Sequence, residues 1–288
     1  MPELTALHLY PIKSAYRISP DTADVTPWGL TGDRRWMLAD PAGHAVTQHQ
    51  QPSIGQYRTR LHPDGSLTVT DPAGSRTHVP VPSPTTSPRT QGILFGAAFP
   101  TLEADRRTQA WFAARLGAVR LLYLDDPATS RRIDLEDGPA DASISLVDGY
   151  PILLTTTASL AALNHHLTHD RVTGDPQSDH LPMERSRPNL VISGTRPWEE
   201  DGWRRIKVGE AVFKTVEPCG RCVVITIDQE TGERRGSAPL KALARHHRLG
   251  DKLAFGLSLV PERPAASTGD LLGTLRLGDE VTVLGVTA

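Results

Sequence analysis

Two cysteines stand three residues apart in a short segment that could do metal or redox chemistry. Cys219 and Cys222 are the only cysteines among 288 residues, and they lie in the sequence EPCGRC at residues 217–222. Its proline and glycine predict an irregular loop, followed at residues 223–227 by a β-branched run that we interpret as a strand. A thiol at the entrance of that strand, beside Arg221, has positive potential next to it. This favours the thiolate, the form that binds soft metals.

Four kinds of site are compatible with such a pair. A thioredoxin-like redox pair needs a helix after the cysteines, so the predicted strand disfavours it. A zinc site needs further ligands, and the available histidines occur in polar helix-surface segments that indicate solvated side chains: His165, His166, His169, His246 and His247. A nucleophilic cysteine paired with a histidine has no local signature. A single thiolate on a cofactor metal is the fourth kind, whereas inert cysteines favour apolar interiors.

The elements that must position this loop are mostly short strands. Strands are predicted at residues 4–12, 35–39, 57–61, 67–70 and 190–193, and Asp64-Gly65 predicts a hairpin turn. Helices are predicted at residues 108–116, 155–167 and 239–248, with Gly117 and Gly250 as stops. A polar loop at 169–188 precedes the last of the strands. Together these elements predict an α+β fold that is mostly β, rather than repeated βαβ units.

Composition excludes several classes of partner. Hydrophobic residues make up 38% and charged residues 22%, which indicates a globular chain, and the formal net charge of -2 gives no bulk attraction to nucleic acid or anionic lipid. No apolar run approaches the roughly 20 residues that cross a bilayer. The N-terminus lacks the features of a signal peptide. We expect no nucleic-acid partner, no membrane partner and a cytoplasmic location.

Several segments in register resemble the MOSC-domain family, in particular its branch containing the mitochondrial amidoxime-reducing component. Besides EPCGRC they are YPIKS at 10–14, GDRRWML at 32–38, SRPNLVISG at 186–194, TIDQETG at 226–232, FG at 255–256 and LGDEV at 277–281. The resemblance covers almost the whole chain. It implies a β-rich MOSC N-terminal domain at residues 1–124 and a MOSC β-barrel at residues 125–288, with a site between them.

The resemblance implies a molybdenum cofactor, in which a pterin dithiolene bearing a phosphate holds the metal. Cys222 matches the thiolate that binds the metal, and Asp228 joins it as a catalytic-site residue. The matching cofactor-binding positions are Lys13, Ser14, Arg34, Arg187, Asn189, Gly220 and Arg221. Several of these are cations, as a buried anion requires.

The activity implied is reduction of N-hydroxylated small molecules, such as amidoximes and hydroxylamines. No cysteine follows Cys222, so we expect no iron–sulfur cluster in this chain and electrons from a separate donor protein. Ser258 stands where the family has an aromatic residue, which departs from the pattern near Phe255-Gly256. MOSC domains also end cofactor sulfurases, so a non-catalytic cofactor carrier, or a sulfur carrier through a Cys222 persulfide, is the alternative function.

Overall fold

The computed structural model describes residues 1–133, 142–169, 180–264 and 268–286. Within these residues the strands are β1 (Glu3–Leu7), β2 (Thr22–Thr26), β3 (Gly29–Leu30), β4 (Trp36–Ala39), β5 (Arg58–Leu61), β6 (Leu67–Thr70), β7 (Arg76–Val79), β8 (Arg89–Leu94), β9 (Ala97–Glu103), β10 (Arg120–Tyr123), β11 (Arg132–Ile133), β12 (Ala142–Ser143), β13 (Ile152–Thr156), β14 (Leu190–Ser193), β15 (Trp203–Val208), β16 (Ala211–Gly220), β17 (Arg248–Leu249), β18 (Lys252–Pro261), β19 (Gly273–Arg276) and β20 (Val281–Val286).

The α-helices of the described part are α1 (Arg106–Leu116), α2 (Pro127–Ser130), α3 (Thr157–His169) and α4 (Ala238–His246). Four short 3₁₀ turns lie at Pro52–Gln56, Met183–Ser186, Glu199–Gly202 and Val223–Thr226. Strands hold 39% of the residues against 20% in helices, which confirms the predicted mostly-β class. The predicted long loop at 169–188 contains one of the 3₁₀ turns, and its residues 170–179 lie outside the described part, as do residues 134–141 of the predicted domain junction.

The largest sheet has eight strands in the order β1-β14-β13-β18-β16-β15-β20, with β17 paired to β18. The pair β13–β14 is parallel, and the other pairs are antiparallel. Smaller sheets are β4-β10-β9-β8, β19-β2-β3, β5-β6-β7 and β11-β12. The strands β5 and β6 pair around Asp64-Gly65, which confirms the predicted hairpin.

Two N-terminal strands pair with strands from the second half of the chain. Strand β1 pairs with β14, and β2 pairs with β19. The chain then leaves these sheets through the loops at residues 8–21 and 31–35, and Trp36 begins β4 in a sheet of the first half. The two loops with predicted site residues therefore lie where the two groups of sheets meet. A division near residue 124 stays a prediction.

Separate apolar clusters fill the spaces under these sheets. One packs the faces of the large sheet around Trp203 and Phe213, and a second packs α1 through Phe112 against Trp36 and its neighbours. The third packs α3 and α4 against Phe255 of β18. The sheet is thus held rigidly on both sides of the predicted site. In the described part of the chain, we find no helix long and apolar enough to cross a membrane.

His247 is a buried histidine, so the prediction that it is solvated is wrong. Only 8% of it is exposed, and its ring stacks on Trp198 with centroids 3.7 Å apart. Its Nδ1 lies 2.8 Å from the Ala254 carbonyl oxygen and its Nε2 lies 2.7 Å from Oδ2 of Asp201. Burial alone would lower the pKa of His247, but these two acceptors raise it. The sequence shows the helical spacing and gives no sign of the acceptor 46 residues away.

His8 is a second buried histidine with the opposite shift. Its Nδ1 lies 2.9 Å from Oγ of Ser19, and burial, together with the nearby Arg17, lowers the pKa of His8 to about 4. The folded protein therefore holds His8 neutral and favours protonated His247.

We predict opposite pH dependences for these two contributions to the free energy of unfolding. His247 has a raised folded pKa, so its contribution is full below the unfolded value of about 6.5 and is lost as the pH rises through the folded pKa. His8 has a lowered folded pKa, so its contribution is full above about 6.5 and is lost as the pH falls towards 4. Urea unfolding of wild type, His247→Gln and His8→Gln at about pH 5 and about pH 8 checks this. The His247→Gln loss should be larger at the lower pH and the His8→Gln loss larger at the higher pH; losses independent of pH contradict it.

Candidate functional site

A cavity of about 760 Å³ opens between the two groups of sheets. All predicted site residues except Asp228 line it: Lys13, Ser14, Arg34, Arg187, Asn189, Gly220, Arg221 and Cys222. They come from positions up to 209 residues apart (222 − 13) along the chain. The structure therefore brings the sequence-predicted set together at one place, with Asp228 outside the wall.

Cys222 is presented by a turn, and the predicted strand at residues 223–227 is wrong. The strand is β16, which runs through Cys219 to Gly220 with register shifts near its end, so the loop predicted around Pro218 and Gly220 is an irregular strand end. Cys222 follows this strand and precedes the 3₁₀ turn Val223–Thr226. Ile225 and Ile227 are buried without pairing in a ladder of the sheet, Ile225 among the apolar residues of α3, α4 and β18. The β-branched run therefore reports burial rather than strand pairing. A single 3₁₀ turn does not supply the helix that a thioredoxin-like pair needs.

The thiol of Cys222 is exposed to the cavity and contacts a histidine. Its Sγ lies 3.4 Å from Nε2 of His49, and both cysteines are free thiols. Among the described residues no group of three or more histidine, cysteine or acidic side chains could hold a metal ion by itself. A zinc site built from the surface histidines is therefore not supported. Cys222 can act as one ligand on a metal whose other ligands come from a cofactor.

Two arginine side chains of the cavity wall pack over one tyrosine, Tyr10, that is fully buried behind them. The guanidinium carbon of Arg34 lies 4.4 Å from the ring centroid of Tyr10, and that of Arg187 lies 4.2 Å from it. Arg34 pairs with Oδ2 of Asp33 at 2.5 Å and donates to Oδ1 of Asn189 at 3.1 Å. Burial raises the pKa of Tyr10 to about 12, so the ring stays neutral while its face attracts both cations.

Arg187 has a donor with no partner. Its Nη1 donates to the Ala15 carbonyl oxygen at 2.9 Å, but its Nη2 is buried and has no hydrogen-bond partner. Burial lowers the pKa of Arg187 to about 10, which still leaves it charged at neutral pH. An unsatisfied buried donor costs about 1–3 kcal/mol, and a charged one costs more. The guanidinium is therefore poised for an anionic ligand in the cavity.

Lys13 is a buried cation of the cavity wall that pairs with an exposed carboxylate. Its Nζ donates to the Leu146 carbonyl oxygen at 2.9 Å and pairs with Oδ1 of Asp148. Burial lowers the pKa of Lys13. Burial would raise the pKa of Asp148, but Lys13, Arg34 and Arg187 lower it. Asp148 is therefore an ionised acceptor whose side chain is 71% exposed.

Two other predicted site residues, Asn189 and Arg221, are already hydrogen-bonded within the protein. Asn189 accepts from Arg34 and donates to the His8 carbonyl oxygen at 3.0 Å, so its amide braces the wall. Arg221 donates to the carbonyl oxygens of Phe255 at 2.8 Å and Ser186 at 2.9 Å. Its charge is directed at the backbone and fixes the cysteine loop.

Asp228 lies outside the cavity lining and forms ion pairs with two arginines, one of which lines the cavity. Its Oδ2 lies 3.0 Å from Nη2 of Arg185 and 3.0 Å from Nε of Arg235. Arg185 lines the cavity, and its Nη1 is buried without a hydrogen-bond partner. Asp228 therefore acts on the cavity through Arg185, and a catalytic role for it stays a prediction.

Backbone strain is concentrated at this cavity. Five non-glycine residues of the described chain have positive φ, and four of them line the cavity: Ser14 (68°), Arg34 (46°), Phe95 (52°) and Arg187 (54°). The fifth, Trp198, lies elsewhere. Such conformations persist only where the surrounding structure imposes them, and they cluster at functional sites. The backbone thus marks this cavity as the functional site.

Sequence reasoning missed several residues of the wall, namely His49, Phe95, Asp148 and Arg185, and the buried Tyr10 against which Arg34 and Arg187 pack. His49 and Cys222 are 173 residues apart, and a lone histidine gives no signal of such a contact. Phe95 precedes a glycine at a hairpin position that normally favours asparagine, and this was a readable signal.

Comparison with known proteins gives consistent matches. The profile of the MOSC N-terminal beta barrel domain matches residues 1–119, and that of the MOSC domain matches residues 141–282. Molybdenum cofactor sulfurase of Oryza sativa subsp. japonica is 29% identical over 267 residues, which are 89% of this chain and 32% of that protein. Mitochondrial amidoxime-reducing component 1 of Mus musculus is 28% identical over 297 residues, 97% of this chain and 81% of that protein. The chain therefore spans about a third of the sulfurase and four fifths of the reducing component.

Among solved structures, the YUAD protein from Bacillus subtilis is 14% identical with a TM-score of 0.43. The match covers 98% of this chain and 94% of that one, but at this similarity it carries no argument.

We predict that inorganic phosphate stabilises the cofactor-free protein through Arg187. At a tenfold excess over its dissociation constant, phosphate should raise the midpoint of thermal unfolding by about 2–4 °C. Arg187→Met should abolish this shift, because it removes the buried charged donor. Arg196→Met is the matched control, since the Arg196 side chain is 87% exposed outside the cavity lining. A phosphate-dependent shift that persists in Arg187→Met would show that the anion binds elsewhere.

Proposed function

The chain belongs to the MOSC-domain family, and on that premise we propose that it holds a molybdenum cofactor in this cavity and reduces N-hydroxylated small molecules. The name of one relative, mitochondrial amidoxime-reducing component 1 of Mus musculus, states this class of reaction for that protein. The observation that supports the proposal most strongly is that one cavity contains both a soft ligand for a metal and a buried cation for an anionic group. The exposed residue Cys222 lines the same cavity as Arg187, whose Nη2 is buried without a hydrogen-bond partner.

The residues present fit the parts of such a cofactor. A pterin phosphate and a dithiolene are anionic, and the buried Nη2 of Arg187 lacks an acceptor. Arg34, Lys13 and Ser14 would contribute to the same anionic part, because buried anions need several donors. Cys222 would supply the soft ligand to the metal. The role of Asn189 and Arg221 would be indirect, because their side chains hydrogen-bond to backbone carbonyl oxygens and so position the loops of the cavity wall. Gly220 would contribute through its own backbone in that wall.

When bound, the cofactor supplies two-electron redox chemistry. The net reduction breaks the N–O bond of the substrate, reduces the nitrogen and releases the oxygen as water. It consumes two protons and two electrons, and a separate electron-transfer protein would supply the electrons. The chain's own part is to bind the substrate, orient it and keep bulk water away.

Two cavity residues would orient the reacting groups. The Nε2–H of His49 can donate to the Cys222 sulfur 3.4 Å away, which would fix the direction of the thiolate. Asp148 is ionised and exposed in the cavity, so it can accept a hydrogen bond from an N–H or O–H of the substrate. Asp228 would be a positioning residue, because it touches Arg185 and not the cavity.

We predict that Cys222→Ser removes both bound molybdenum and reductase activity. Serine lacks the soft sulfur, so the metal should be lost or left inactive. Cys219→Ser is the matched control, because Cys219 lies three residues earlier, near the end of β16, lines the same cavity, and donates through Sγ to the Gly220 carbonyl oxygen at 3.8 Å. Protein from a host that makes the cofactor should be assayed for molybdenum per chain and for reduction of benzamidoxime and hydroxylamine with a chemical electron donor.

The possible results separate the functions. Full activity and full metal content in Cys222→Ser contradict the assignment. Wild-type protein that binds molybdenum and pterin yet turns over neither substrate would instead be a carrier. Wild-type protein that takes up neither metal nor pterin overturns both functions.

A further inference from the structure

We propose that Phe95 selects substrates with an aromatic ring, acting as an apolar contact at the cavity wall. This inference rests on the proposed reductase function and adds a determinant of specificity to it. Phe95 lies at the tip of the hairpin formed by β8 and β9, and it lines the same cavity as Cys222.

The turn that presents Phe95 is strained by this residue. Leu94 pairs with Ala97, so Phe95 and Gly96 form a two-residue loop. Their φ angles of 52° and 81° match a type I′ turn, in which asparagine or glycine is favoured at the first position. A bulky aromatic residue with positive φ is a genuine outlier.

Packing does not explain why phenylalanine occupies this position. Its side chain is 75% exposed, so it gains little burial to offset the strained backbone. A Cβ added at the neighbouring Gly96 would have no atom within 4 Å, which shows that the tip projects into open space. Strain that stability does not explain points to function.

The hairpin is hydrogen-bonded to residues 43–45, a segment that leads to His49. The Ile93 N–H donates to the Gly43 carbonyl at 2.8 Å, and the Ala45 N–H donates to the Ile93 carbonyl at 2.9 Å. Four residues after Ala45 the chain reaches His49, whose Nε2 lies 3.4 Å from Sγ of Cys222. Phe95 therefore has a fixed place relative to the proposed metal ligand.

The chemistry of the wall favours a ring as the occupant. Ile93, Leu94 and Val147 also line the cavity, so Phe95 is part of an apolar section, whereas Arg187 and Lys13 make the other section cationic. An aromatic side chain offers a large rigid face at low entropic cost. A substrate with a polar N-hydroxylated end and an aromatic body matches these two sections.

The decisive variant is Phe95→Asn, which fits the turn and removes the ring. We expect the ratio of the KM for benzamidoxime to the KM for acetamidoxime to rise about fivefold. The Kd of the protein for benzamidine, measured by calorimetry without electron donor, should rise by a similar factor relative to that for acetamidine. Relief of strain should raise the midpoint of thermal unfolding by about 2 °C.

Two further variants make the result specific. Phe95→Trp keeps an aromatic face and should retain the wild-type ratios. Leu271→Asn removes a side chain that is 58% exposed outside the cavity lining, and it should also leave both ratios unchanged.

Unchanged ratios in Phe95→Asn overturn the proposal, and so does a lower unfolding midpoint, which would make Phe95 a stability residue. Slower reduction by a protein electron donor with unchanged ratios also overturns it, because Phe95 would then contact that partner. If no N-hydroxylated compound is turned over, the proposed function fails, and the benzamidine and acetamidine affinities still decide the role of Phe95.

Discussion

The burial of two guanidinium groups over Tyr10 is the constraint on which the rest of the site depends. Arg34 is balanced by Asp33, which is 1% exposed, whereas Arg187 donates to one carbonyl oxygen, that of Ala15, and its buried Nη2 has no hydrogen-bond partner. Keeping such charge away from water is costly unless a counter-charge arrives. Tyr10 also donates to the Pro188 carbonyl at 3.1 Å, so the same ring ties the two loops together. The arrangement therefore destabilises the protein as long as the buried Nη2 of Arg187 has no acceptor.

The positive φ angles of Ser14, Arg34 and Arg187 belong to the same arrangement. Each of the three residues lies in a loop, and hydrogen bonds join these loops. Arg34 donates to Asn189 next to Arg187, and Arg187 donates to the carbonyl oxygen of Ala15 next to Ser14. A left-handed backbone turns consecutive peptide groups in different directions. It can therefore place a side chain in the cavity while the neighbouring residues continue in a sheet.

Local signals in the sequence predicted local structure well. Asp64-Gly65 and Gly117 mark a real hairpin and a real helix end, because turn and cap chemistry depends on nearby residues alone. The predicted cavity residues also meet, since the family pattern reflects a shared fold. The run after Cys222 was misread because burial and strand pairing both favour β-branched residues. The contact of His49 with Cys222 could not be predicted, because it depends on how two distant loops are packed.

The pairing of β1 with β14 has a consequence for the order in which the molecule is assembled. Thr5 donates to the carbonyl oxygen of Val191, which lies 186 positions later in the chain, so β1 pairs with a strand that is synthesised much later. Long-range pairings of this kind form slowly. Lys13, Arg34, Arg187 and Cys222 line one cavity although they are far apart in the sequence. The wall of that cavity is therefore complete only after this slow long-range pairing has formed.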